Sequence, residues 1–78
     1  MDPVQQSISI YQAILADLAK TYTLRGGGGI SSIMQTSTTT FTVQIGQEGR
    51  KDLLNYTVKV GPDGKVEIVG KTENTQTY

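Results

Sequence analysis

The apolar residues change period at a run of four consecutive glycines, residues 26–29, and no other feature so narrows what this chain can fold into. Ahead of the run, Val4, Ile8, Tyr11, Leu15, Leu18 and Tyr22 follow one another at steps of four and three, the spacing that places side chains on one face of an α-helix. Ile10 and Ile14 widen that stripe, while Gln5, Gln6, Gln12, Asp17 and Lys20 fall mainly elsewhere. Asp2 is a good N-cap and Pro3 suits the first helical position, so the pattern predicts a helix over about residues 3–22. The glycines end it, because four in succession lose too much backbone entropy to stay helical or to join a strand interior. Residues 25–29 read as a hinge.

Behind the run the period is two. Residues 30–36 form a weakly patterned strand candidate, whereas Thr39, Phe41, Val43 and Ile45 alternate with Thr40, Thr42 and Gln44 as a half-buried strand does. Residues 46–52 read as a polar connection. Leu54, Tyr56, Val58 and Val60 then alternate with Asn55, Thr57 and Lys59, and Val66 and Ile68 alternate with Lys65, Glu67 and Lys71. Between these last two strands, Gly61-Pro62-Asp63-Gly64 suits a type I turn followed by a left-handed glycine. That turn sets Val60 opposite Val66, Val58 opposite Ile68, and Lys59 opposite Glu67 on the other face. One oily sheet face and one amphipathic helix predict a single α+β domain over residues 1–78: an N-terminal helix on a three- or four-stranded antiparallel β-meander. The helix stripe should cover Phe41, Val43, Ile45, Tyr56, Val58, Val60, Val66 and Ile68. The sheet should span about residues 30–71 and the polar residues 72–78 should fray.

The composition removes several kinds of chemistry. Without cysteine or histidine there is no disulfide framework, thiolate nucleophile, imidazole base or common zinc-ligand set. Seven basic and seven acidic residues cancel, so no global field draws the chain to nucleic acid or anionic lipid. No basic leader precedes an apolar run and no stretch is long enough to cross a bilayer; the expectation is a cytoplasmic protein with no membrane contact.

Four features bear on function. The glycine run lacks a following Gly-Lys-Ser/Thr and leads from helix to strand, the reverse of a phosphate cradle, so a hinge that permits a swapped dimer is the better reading. Thr36, Thr38, Thr40 and Thr42 project from one face of an extended chain; such ranks can match an ice or carbohydrate surface, but a single rank without a sequence repeat is better read as a solvated sheet face. Arg50, Lys51, Lys59, Lys65 and Lys71 make a candidate basic strip, though the aromatics that would stack on bases, Tyr11, Tyr22, Phe41 and Tyr56, fall on the inner stripes. Asp17, Glu48, Asp52, Asp63, Glu67 and Glu73 match no calcium loop, and one helix on one sheet leaves little room for a catalytic pocket. In architecture alone the arrangement resembles cystatin-like and PepSY-like domains, families that act as inhibitors or binding modules; the Gln-x-Val-x-Gly loop of cystatins has no counterpart, since Val43-Gln44-Ile45-Gly46 runs in another order.

By subtraction, the expected function is a small non-catalytic interaction module without cofactor or metal, binding a protein partner or itself as a homo-oligomer through an edge strand or helix face. Ile30, Ser32, Ile33 and Met34 are the candidate surface, because their segment carries no lysine or proline to blunt an edge. Nucleic-acid binding through the basic strip, and a structural part in a phage or secretion assembly, are the alternatives.

Overall fold

In the computed structural model, which describes residues 3–22, 28–47 and 49–77, one helix lies on a four-stranded antiparallel sheet whose spatial order follows the chain. Helix α1 spans Pro3–Thr21, and the strands are β1 (Gly29–Gln35), β2 (Thr40–Gln47), β3 (Arg50–Val60) and β4 (Val66–Thr77). The α+β meander expected from the sequence is the fold, with the weakly patterned segment present as the fourth strand. The cap at Asp2, most of the glycine hinge (residues 25–27), Glu48 and Tyr78 lie outside the described residues; Gly29 opens β1.

Phe41, Val43 and Ile45 of β2 and Leu54, Tyr56 and Val58 of β3 form the inner sheet face, and Ile10, Ile14 and Leu18 close over them. Each side chain so buried is worth about 1.5–3 kcal/mol. Tyr11 meets Phe41 edge to face, with ring centroids 5.7 Å apart. The helix is rotated from its expected seat. Its contact line is Ile10, Ile14 and Leu18, whereas Val4, Ile8 and Leu15 stay exposed, Leu15 by 40 %. Apolar spacing defines a stripe wider than one sheet contact, and polar residues at its border decide which half faces inward. Asp17 and Thr21 sit at the Ile10–Ile14 border and reach Tyr56 and Lys71, which turns α1 towards that side.

The last hairpin has the register expected from its turn: Val60 pairs with Val66, Lys59 with Glu67 and Val58 with Ile68. The Gly61 amide donates to the Lys65 carbonyl at 2.8 Å, and Gly64 takes φ 82°, the left-handed value that its missing Cβ allows. Three expectations are corrected. The polar connection shrinks to residues 48 and 49, since Gly46 and Gln47 end β2, Arg50–Asp52 begin β3, and Gly49 turns the chain at φ 76°. Residues 72–77 do not fray; they pair with β3 as far as Thr77 opposite Arg50. Their inward side chains are polar because Val69 is an extra residue between the Ile68–Val58 and Gly70–Thr57 pairs, a bulge that reverses the alternation and turns Lys71, Glu73 and Thr75 to the helix side. The threonine rank is also broken. Thr36 and Thr38 lie in the β1–β2 connection, where Ser37 Oγ and Thr36 Oγ1 bond to Thr40 Oγ1 at 2.6 and 2.8 Å, and only Thr40 and Thr42 belong to β2.

Candidate functional site

The meander leaves two sheet edges, and the chain treats them differently. At the β4 edge, Tyr56 Oη donates to Asp17 Oδ2 at 2.8 Å, and Lys71 Nζ donates to the same oxygen at 3.0 Å and to Thr21 Oγ1 at 2.7 Å. The Lys71 ammonium also lies 5.4 Å from the Tyr56 ring centroid. The Tyr56 hydroxyl bond, aided by the Lys71 charge against some desolvation, holds the Asp17 carboxyl below its ordinary value. Burial, and then the Asp17 and Glu73 charges, push the Tyr56 hydroxyl well above its ordinary value. A bulge, a lysine and an acidic residue therefore occupy this edge, the devices that discourage another strand from adding.

The β1 edge has one of those devices, a bulge between Ile30 and Ser32, and no charged or proline residue in Gly29–Gln35. The bulge explains the weak pattern: it puts Ile30 and Ile33, three residues apart, on the same inner face opposite Ile45 and Val43. From Ser32 to Gln35 pairing is regular. The Thr36 amide donates to the Thr40 carbonyl at 2.9 Å, so Met34 and Ser32 continue the bonded pairs, and Ile33 and Gln35 aim their N–H and C=O groups away from the sheet.

Beside this edge the rotated helix leaves an apolar groove of about 280 Å³, lined by Leu15, Leu18, Ala19 and Tyr22 of the helix end and by Ile30 and Ile45. Ile30 is 47 % exposed at its lip, and Met34 is exposed on the opposite sheet face. The four candidate residues thus divide across the strand: Ile30 inward at the groove, Ile33 inward against the core, and Ser32 and Met34 outward. Leu15 and Ala19 join the site although the sequence placed Leu15 in the core. Two hollows of about 470 Å³ flank the Gly61–Gly64 turn, one beside Gln6 and Val60 and the other beside Lys59, Val66 and Glu67.

The five residues of the basic strip are not brought together. Arg50 and Lys71 face the helix side and approach Asp52 at 3.5 Å and Asp17 at 3.0 Å; Lys51 and Lys59 are on the outer face at opposite ends of β3, and Lys65 is beside the turn. Asp52, expected in a loop, is instead the buried polar member of the inner face, 1 % exposed, accepting hydrogen bonds from Tyr22 Oη and, at 2.7 Å, from Thr75 Oγ1. It ties the end of α1 to β3 and to the far half of β4.

No protein-family model, curated protein or solved structure matches this chain. Among the described residues, no helix is long and apolar enough to cross a membrane.

Proposed function

We propose that this domain is a non-catalytic protein-interaction module that takes up an extended segment by strand addition at the β1 edge. The observation that carries the reading is the pairing parity of β1, which aims the backbone groups of Ile33 and Gln35 outward from an uncharged strand. Strand addition draws affinity from those main-chain groups and specificity from pockets for alternate side chains. Here the pocket is the groove between Ile30 and Leu15, which receives an inward-facing apolar side chain of the added strand. The nucleic-acid reading has weaker support, since Arg50 and Lys71 are engaged with carboxylates and the other three cations are dispersed.

The test is an NMR titration with a synthetic peptide of residues 29–35 as probe strand. The expected result is saturable shift changes at the Ile33 and Gln35 amides and the Leu15 and Ile30 methyls. Changes confined to β4 or to the Gly61–Gly64 turn, or none at all in a monomeric chain, would overturn the reading.

A further inference from the structure

We infer that the strand added at β1 is the β1 strand of a second copy of this chain, paired antiparallel about a two-fold axis at Ile33. This rests on the strand-addition reading and supplies its partner. A two-fold axis sets every residue of an edge against itself or a near neighbour, so a charged edge repels its own copy, and an edge reserved for a different protein needs such charges to avoid self-pairing. Gly29–Gln35 carries none.

Parity then selects the register. Ile33 directs its N–H and C=O outward, so Ile33 opposite Ile33 of the second copy exchanges both hydrogen bonds, and Ser32 stands directly across from the second copy's Met34. On the inner face the two Ile33 side chains, each half-buried in one copy, come into contact over the seam. On the outer face the exposed Ser32 and Met34 form the cross-strand pairs.

Closure follows from the contrast between the edges. Pairing β1 with β1 consumes the uncharged edge of both copies and leaves β4, with its bulge, Lys71 and Glu73, at each end of a continuous eight-stranded sheet, four strands from each copy. A β1–β4 contact would instead be heterologous and would propagate as a filament. Both helices lie on the same face of the joined sheet, because an antiparallel seam requires the axis to run perpendicular to it.

The experiment is the mass in solution, by light scattering, of the wild-type chain and of charge variants at Ser32 and Met34, whose exposed side chains leave the core untouched; circular dichroism checks that each variant is folded. Wild type should weigh twice the 8.4 kDa of one chain. S32K/M34K sets lysine against lysine and should be a monomer, as should S32E/M34E, and their equimolar mixture should recover the dimer, as should S32K/M34E alone. A wild-type dimer whose mass S32K/M34K leaves unchanged would place the interface elsewhere and overturn the inference. A wild-type monomer that still binds the probe peptide at Ile33 overturns the second copy as occupant and spares the strand-addition reading; a monomer that does not bind it overturns both.

Discussion

Tyr56 Oη and Asp17 Oδ2 are 2.8 Å apart although 39 residues separate them, and this bond fixes the rotation of α1 on the sheet. Seating Asp17 over Tyr56 and Lys71 presses Ile10, Ile14 and Leu18 into the core and leaves Leu15 at the lip of the groove. The apolar groove beside β1 is therefore a consequence of a polar contact on the opposite side of the helix.

That bond has a signature in pH. Asp17, held below 3.8, contributes stability that is fully present above that value and lost as pH falls through its depressed folded value. Tyr56, raised above 10.0, contributes stability present below 10.0 and lost as pH rises towards its folded value. Tyr56→Phe should lower stability by about 1 kcal/mol at neutral pH and flatten the alkaline decline, as measured by urea unfolding across pH. An alkaline limb unchanged in Tyr56→Phe would assign it to another group.

The rotation itself is tested by neighbours on the helix. Ile14→Ala, at a fully buried position, should cost about 2–5 kcal/mol, whereas Leu15→Ala should cost less than about 1 kcal/mol in the dilute chain. Thermal unfolding of the two variants gives the order; the reverse order would return Leu15 to the core.

Asp52 gathers the ends of three elements, so losing it should be costly. Asp52→Ala leaves Thr75 without its partner and cavities the inner face, and is expected to cost about 3 kcal/mol, with Thr75→Val costing about 1 kcal/mol. Denaturant midpoints measure both, and hydrogen exchange in Asp52→Ala should show residues 72–77 opening before the rest of β4.

Gly64 holds a left-handed conformation that a Cβ strains. Gly64→Ala should therefore destabilise by about 1 kcal/mol and Gly64→Asn by less, read from thermal midpoints. Equal midpoints for wild type and Gly64→Ala would mean that the turn relaxes to another type.

The elements legible in the sequence are those in which independent signals coincide. At the β3–β4 hairpin, turn chemistry, alternation and the Lys59–Glu67 pair specify one register. Where a bulge interrupts alternation the reading fails: Val69 hides the pairing of residues 72–77, and the bulge after Ile30 disguises β1. Asp52 was unreadable as an inner-face residue because a lone carboxylate beside Arg50 and Lys51 looks like a turn, and its partners Tyr22 and Thr75 are distant in sequence. Ile30, Ile33 and Met34 were identifiable from the uncharged strand; Leu15 was not, because apolar spacing cannot tell the centre of a wide stripe from its margin.

If the β1 edge is occupied when the protein works, the Ile33 amide reports on it most directly. Met34, next in sequence, donates into the sheet and serves as the internal control. Site-resolved hydrogen exchange at rising protein concentration should bring Ile33 to protection comparable with that of Met34. An Ile33 amide that keeps exchanging at the solvent rate while Met34 stays protected would mean that the β1 edge stays open.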